Sequence, residues 1–230
     1  MNASWMERTQ LLIKEQGLER LIKAHVLIVG LGGVGSYAAE AIARSGVGNI
    51  TLIDGDSVDP SNRNRQLQAL SSTQGRNKSL LMAERIVDIN PDCKLNVHER
   101  FMAPDDMKLL LKQKFSYVVD AIDSISPKLY LLHTAYYQNH KIISSMGAGG
   151  KMDPTQIQVV DISKTHTCPM AQYVRKRLKY MTIYKGIQTV FSTELPAKHS
   201  IMRTDGSKFT KSAYGTISYL PAAFGLTCAS

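Results

Sequence analysis

His25-Val26-Leu27-Ile28-Val29-Gly30-Leu31-Gly32-Gly33-Val34-Gly35-Ser36 runs an apolar stretch directly into a turn holding four glycines. The stretch His25 to Val29 reads as a buried strand, because it is short, continuous and apolar and ends at a turn signal. Val34 to Arg44 reads as a helix that Gly46 and Gly48 stop. Gly30, Gly32 and Gly35 satisfy G-x-G-x-x-G, and Gly33 adds a fourth glycine. A strand that feeds a helix through such a turn lets backbone N–H groups and the helix dipole approach a phosphate closely. Taken alone the turn suits NAD, FAD and ATP equally, and it also occurs where glycines serve packing only.

Outward from this turn, strands and helices alternate. Asn49 to Asp54 is a second strand, and Ser57 to Gln74 is a long polar loop. Helices are expected at Lys78–Ile89, 104–114 and 127–139, and strands at 94–99, 117–122 and 141–145. Residues 7–23 form an N-terminal helix with Leu11, Leu12, Leu18, Leu21 and Ile22 near one face. The alternation predicts an α/β, Rossmann-like fold with a mostly parallel sheet and helices on both faces. After Gly147 the pattern changes. A strand is expected at Ile157–Ile162 and a basic helix at 169–180, and 183–219 is unassigned. A soft boundary near residue 150 divides a 1–150 Rossmann-like domain from a smaller basic lobe, 151–230, that continues the same fold. The apolar end, Tyr219 to Ser230, reads as the first turns of a longer C-terminal helix.

The 230 residues, 43% of them hydrophobic, allow a full core. No run of apolar residues is long enough to span a membrane, and the polar N-terminus does not read as a secretory signal. Cys93, Cys168 and Cys228 form no Cys-x-x-Cys pair, which argues against a disulfide framework and a zinc tetrad and fits a reducing, bacterial-type cytoplasm. Any membrane association would have to come from a further C-terminal tail. The net charge of +9 is concentrated. Residues 164–211 hold Lys164, Arg175, Lys176, Arg177, Lys179, Lys185, Lys198, Arg203, Lys208 and Lys211 against only Glu194 and Asp205. A localised basic field of this kind marks a polyanion partner, and nucleic acid is favoured over a merely solvated surface.

Asp54 lies at the end of the second strand, where a carboxylate can accept hydrogen bonds from a ribose. The loop after it, Asp54-Gly55-Asp56-Ser57-Val58-Asp59-Pro60-Ser61-Asn62-Arg63-Asn64-Arg65-Gln66, discriminates between ligands. A nicotinamide dehydrogenase has no reason to place Ser-Asn-x-x-Arg-Gln there. Arg65 and Lys78 bring two cations, and Asp123 ends Val118-Val119-Asp120-Ala121-Ile122-Asp123 at the carboxyl edge of the sheet. Two cations that neutralise developing charge and one carboxylate able to hold Mg²⁺ suit chemistry on a triphosphate.

Gly-x-Gly-Gly-x-Gly, Asp-x-Asp, Ser-Asn-x-x-Arg-Gln, Lys and Asp in this order resemble the ubiquitin-activating-enzyme-like family, which includes the adenylating enzymes of thiamin and molybdopterin synthesis. Asn62-Arg63-Asn64-Arg65-Gln66, Ile89-Asn90-Pro91-Asp92-Cys93, and the segment from Ser144-Ser145-Met146-Gly147 to Lys164-Thr165 are similar to the branch that dehydrates threonylcarbamoyladenosine in tRNA. The resemblance runs from about Arg8 to the C-terminus. It implies that Gly30, Gly32, Gly33, Gly35, Asp54, Asp56, Asn62, Arg65, Gln66 and Lys78 hold ATP and that Asp123 coordinates Mg²⁺. It makes Arg65, Lys78, Asp123 and Arg8 catalytic, with Arg8 reaching the ATP of the other subunit in a homodimer. It also implies tRNA as substrate, and cysteine desulfurase or other sulfur-transfer proteins as partners. With the charge pattern, it points to Lys164, Arg175, Lys176, Arg177 and Lys179 as the RNA-binding residues.

The expected chemistry is ATP-dependent cyclisation through an acyl-adenylate. Two other readings stand beside it. Adenylation of a ubiquitin-like sulfur carrier would share every ATP residue but would want a crossover cysteine; Cys168 lies in a comparable region, and Cys228 lies near the C-terminus. An NAD-dependent oxidoreductase would bind NADH and not ATP.

Overall fold

The structure is a computed structural model that describes residues 4–203 and 212–230. Lys208, Lys211 and Asp205, three of the charges counted in the basic segment, lie outside the described residues. The chain begins with α1 (Glu7–Lys23), followed by β1 (His25–Val29), α2 (Gly35–Arg44), β2 (Asn49–Ile53), α3 (Lys78–Ile89) and β3 (Lys94–His98). Then come α4 (Pro104–Leu110), β4 (Tyr117–Asp120), α5 (Ile125–Tyr137), β5 (Ile142–Ser145), β6 (Ile157–Asp161), α6 (Pro169–Tyr180) and β7 (Gln188–Ser192). The short strands β8 (Ile201–Arg203) and β9 (Ser212–Tyr214) pair with each other, and α7 (Tyr219–Ala229) ends the chain.

The main sheet has the order β3-β2-β1-β4-β5-β7-β6. Every neighbouring pair is parallel except β6 with β7. The chain builds outward from β1 through β2 to β3 and then returns to place β4 on the other side of β1. That reversal opens a crevice at the carboxyl ends of β1 and β4, the usual ligand position in open sheets of this kind.

Alternate residues of β1 enter different cores. Leu27 and Val29 pack with residues of α4, α5 and α6 on one face, including Leu110, Leu131, Val174 and Leu178. Val26 and Ile28 pack with α2, α3 and α7 on the other, including Ala39, Ile42, Met82 and Phe224. Burial on both faces explains why this strand is apolar throughout rather than alternating.

Strands β6 and β7 and helices α6 and α7 extend this architecture. β7 pairs with β5 at the register Ser144↔Thr189, and α7 packs on α2 with Leu220 and Phe224 fully buried. A Cβ at Gly225 would collide with the backbone of Val34, so α7 crosses α2 very close to the glycine turn. The unassigned stretch 183–219 supplies β7, which the sequence concealed because Thr189 and Ser192 in Gln188-Thr189-Val190-Phe191-Ser192 are polar yet buried.

The expected face of the N-terminal helix is corrected. Helix α1 has the expected extent but is interrupted at Lys14 (φ 62°, ψ 176°), which breaks the helical period. Leu18 is buried, whereas Leu11 and Leu12 are 81% and 83% exposed. Helix α4 also stops earlier than expected, at Leu110, and turns at Leu111.

The glycine turn is tight for a geometric reason. Gly30 has φ 88°, a left-handed conformation that favours glycine. A Cβ at Gly35 would collide with the Gly30 carbonyl oxygen. Gly35→Ala is expected to displace α2 from β1 and to cost more than ~3 kcal/mol, beyond the usual range for overpacking because the obstacle is backbone. Urea unfolding would show it as a lower midpoint, and an unchanged midpoint would contradict the packing described.

Candidate active site

At the carboxyl edge of β1 and β2 the loops are tied together by one carboxylate. Asp54 Oδ2 accepts the backbone N–H of Leu31 at 2.6 Å, and Oδ1 accepts that of Asp56 at 2.8 Å. Asp54 is buried, and burial pushes its carboxyl up from the usual range. The Lys78 charge and the two backbone donors oppose that shift. Gln68 Nε2 donates to the Leu31 carbonyl at 2.6 Å, so both polar groups of Leu31 are held and the turn has little freedom.

Lys78 sits in the first turn of α3, whose N-cap is Asn77. Asn77 Oδ1 accepts from the backbone of Ser79 and Leu80. The Lys78 side chain is buried and its Nζ donates to Asp56 Oδ2 at 3.0 Å. Ser79 Oγ donates to the Asp54 carbonyl. Asp54, Asp56 and Lys78 therefore form one group beside the glycine turn.

The loop that follows folds back over the turn. Asn62 is buried, and its Oδ1 accepts the Asp59 N–H to close a short 3-10 turn that Asp59 caps. Arg65 Nη1 donates to the Ser61 carbonyl and to Asn64 Oδ1, both at 2.9 Å. Its Cγ lies 3.3 Å from where a Cβ on Gly33 would be. Gln66 is buried with its Oε1 unpaired, and its Nε2 is 3.8 Å from where a Cβ on Gly32 would be. Apart from Gly32 and its two chain neighbours, no other heavy atom of the described residues lies within 4 Å of that point. The turn thus offers an open cradle over Gly32 at the N-terminus of α2, lined by a buried amide. These features fit a polyphosphate, whose charge the helix N-terminus and the nearby cations favour.

Across the crevice, the end of β4 abuts the turn. A Cβ on Gly30 would stand 2.7 Å from the Ala121 carbonyl oxygen. Asp123, two residues further, is exposed at the same edge, and its Oδ1 accepts from Ser124 Oγ. The described residues hold no group of three or more candidate metal-binding side chains. A magnesium ion that travels with phosphates needs only one or two carboxylates, so Asp123 alone is chemically sufficient.

Arg8 is not brought to this crevice by its own chain. It is exposed in the first turn of α1, two residues after Met6, which packs on Gly46 beyond the far end of α2. The ten residues of α2 separate the two places by roughly 15 Å. Lys164, Lys176, Arg177 and Lys179 are all exposed. Arg175 differs from them. It is half-buried, and its Nη1 donates to the Thr165 carbonyl at 2.7 Å and to Thr165 Oγ1, so it holds the start of α6 in place.

Sequence reasoning missed a buried polar cluster next to the crevice. Lys128 Nζ, fully buried in α5, donates to Asp120 Oδ2 at 2.7 Å, to Ser144 Oγ at 3.3 Å and to the Ser145 carbonyl at 3.0 Å. Ser144 Oγ donates to Asp120 Oδ2 at 2.6 Å, and the other oxygen, Oδ1, accepts the Ile122 N–H. The cluster joins the ends of β4 and β5 to α5 and so sets the backbone that leads to Asp123. Its signal in the sequence is a lysine directly before the apolar run Leu129 to Leu132.

The three cysteines are free and buried. Cys168 lies beneath Gly147, and Lys151 is buried near it with Nζ donating to the Ser192 carbonyl. Burial pulls the Lys151 ammonium down from its usual range, and the Glu194 carboxylate opposes that shift. Burial pushes the Cys93 thiol up to about 11 and the Cys228 thiol up to about 12.

A model described as the ThiF family matches residues 6–230. The chain belongs to the ThiF family. It is 48% identical over 189 residues to the tRNA threonylcarbamoyladenosine dehydratase of Bacillus subtilis (strain 168), covering 82% of this chain and 74% of that protein. To the protein of the same name from Escherichia coli (strain K12) it is 46% identical over 203 residues, covering 83% and 75%. The crystal structure of the E. coli enzyme in complex with ATP superposes with a TM-score of 0.89 at 40% identity, covering 100% of this chain and 93% of that one. These likenesses extend well past the glycine turn and set aside the nicotinamide reading.

Lys128→Met, which strands a buried carboxylate, is expected to lower stability by about 3–5 kcal/mol, and adding Asp120→Asn should recover part of it. Urea unfolding of the single and double variants measures both. Cys93 and Cys228 are expected to resist maleimide labelling at pH 8 until the protein is unfolded. Rapid labelling of either in the native protein would contradict their burial.

Proposed function

We propose that this chain is an ATP-dependent tRNA threonylcarbamoyladenosine dehydratase. The observation that carries the reading is the cradle at Gly32, flanked by Arg65, Gln66 and the Asp54–Asp56–Lys78 group, in a chain that matches dehydratases over most of its length. Gly30, Gly32, Gly33 and Gly35 present backbone to the phosphates. Asp54 and Asp56 face the ribose side, with Asp54 keeping the turn in shape through its bonds to Leu31 and Asp56. Asn62 keeps the loop folded so that Arg65 and Gln66 stay over the turn. Arg65 and Lys78 offset negative charge that moves toward the leaving pyrophosphate. Asp123 is the residue to hold Mg²⁺, which would neutralise phosphate charge.

In the reaction, a carboxylate oxygen of the substrate attacks the α-phosphorus and the bond to pyrophosphate breaks. A nitrogen of the same side chain then attacks the acyl carbon, loses its proton and expels AMP. The net change is loss of one water from the nucleoside. The second step is intramolecular, so alignment can supply effective molarities of ~10⁵ M or more without a covalent enzyme intermediate. The burial of Cys168 agrees with a mechanism that needs no thioester.

The reading also holds that the enzyme works as a homodimer in the cytoplasm. Trp5, Leu11 and Leu12 are large exposed apolar side chains at the start of the chain, where a second copy would cover them and where Arg8 would act across the interface. Among the described residues no helix is long and apolar enough to cross a membrane.

Incubation with tRNA and ATP followed by mass spectrometry of the nucleosides tests the activity. Threonylcarbamoyladenosine should lose one water only when ATP is present. Arg65→Ala is expected to slow the conversion about 100-fold, and Cys168→Ala to leave it intact. Loss of activity in a well-folded Cys168→Ala protein, with a carrier protein consumed instead of tRNA, would favour the sulfur-carrier reading.

A further inference from the structure

Helix α6 carries a feature that the phosphate-binding chemistry does not use. Its inner face, Ala171, Val174 and Leu178, is fully buried against the sheet. Its outer face shows Tyr173, Lys176, Arg177 and Tyr180, at positions i, i+3, i+4 and i+7, which form a single stripe on a helix. These four border a shallow, open hollow on the surface of the helix. Tyr173 is 44% and Tyr180 74% exposed. Seven residues of helix put the two rings roughly 10 Å apart.

The cations of this stripe are organised around the rings. Arg177 Nη2 donates to Tyr173 Oη at 2.9 Å, and its Cζ stands 5.3 Å from the Tyr173 ring centroid. That contact sets the Tyr173 ring beside the Arg177 guanidinium. No acidic residue occurs anywhere in 162–193, whereas Lys164, Arg175, Lys176, Arg177, Lys179 and Lys185 do. Exposed aromatic rings interleaved with cations suit unpaired nucleotides: bases stack on the rings and phosphates meet the cations. A duplex would keep its bases inside the helix and could use the cations alone.

From this arrangement we infer that the outer face of α6 is a stacking platform for unpaired bases of the RNA substrate, with Tyr173 and Tyr180 as the rings and Lys176 and Arg177 as the phosphate partners. The inference rests on the tRNA reading above and narrows it to a loop or other single-stranded part of the molecule. It also separates α6 from a purely electrostatic surface, which would hold double- and single-stranded RNA alike.

The test uses fluorescence anisotropy with a labelled hairpin RNA that has an unpaired loop, and a labelled RNA duplex of equal charge. The full chain and its Tyr173→Ala/Tyr180→Ala and Tyr173→Phe/Tyr180→Phe variants are compared. Both positions are exposed, and circular dichroism checks that the helix persists. The alanine pair should weaken hairpin binding ~10-fold or more while duplex binding stays unchanged, and the phenylalanine pair should keep hairpin binding. With tRNA and ATP, the alanine pair should raise KM for tRNA and leave kcat as it was. Hairpin binding unaffected by the alanine pair, or an equal loss for hairpin and duplex, would overturn the platform. So would displacement of the hairpin by polyglutamate with no effect of the tyrosines, which would assign the face to an acidic protein. If the platform fails while the unaltered chain still dehydrates tRNA with ATP, the functional reading survives. If the unaltered chain converts no tRNA at all, that reading falls first.

Discussion

The Asp54 carboxylate is the tie on which the rest of the site depends. Its two oxygens hold the backbone of Leu31 on one loop and of Asp56 on the next, so the turn after β1 and the loop after β2 move as one body. Through Asp56 the same body includes Lys78 at the head of α3. Through Leu31 it includes Gln68 on the returning loop. Burying a carboxylate is costly unless it is hydrogen-bonded and near a cation, and here both conditions are met by groups that the site needs in place anyway. The packing of Gly35 against Gly30 then sets how close α2 approaches that body.

A second buried ionic cluster does comparable work on the other wall of the crevice. Lys128, Asp120, Ser144 and the Ser145 carbonyl link α5 to the ends of β4 and β5. A buried ion pair is weak evidence for stability in itself, because desolvation offsets most of the attraction. Its consequence here is positional. It leaves the chain from Ala121 to Asp123 one route along the carboxyl edge, opposite the glycine turn. The two walls are therefore set by different charges, one group partly open to solvent at Asp56 and the other sealed.

The basic C-terminal segment shows how charge that looks uniform in composition divides by role. Arg175 turns inward to Thr165 and serves the fold, whereas Lys176 and Arg177, the next two residues, face solvent beside Tyr173 and Tyr180. Helical geometry makes this division, since adjacent residues on a helix point in different directions. Likewise α7, apolar and placed at the end of the chain, is a core helix of the nucleotide-binding face, packed against α2 beneath the glycine turn.

Much of the architecture was legible in the residues. The apolar run before Gly30, the spacing of the glycines and the alternation of strand and helix patterns are local signals, and local signals suffice for a mostly parallel sheet with helices on both faces, though not for its strand order. The loop from Asp54 to Gln66 likewise carried the family resemblance in its own residue types, before any tertiary contact was known. The residues alone left open which charges are buried and which face a substrate. Lys128 looks like any surface lysine until α5 folds onto β4, and Arg175 looks like any member of a basic helix until it meets Thr165. The strand Gln188–Ser192 and the exposure of Leu11 and Leu12 were hidden for the same reason. Burial is a property of contacts between distant segments, and hydrophobic periodicity within one segment cannot report it when a kink such as Lys14 or a sheet neighbour such as β5 decides which face is covered.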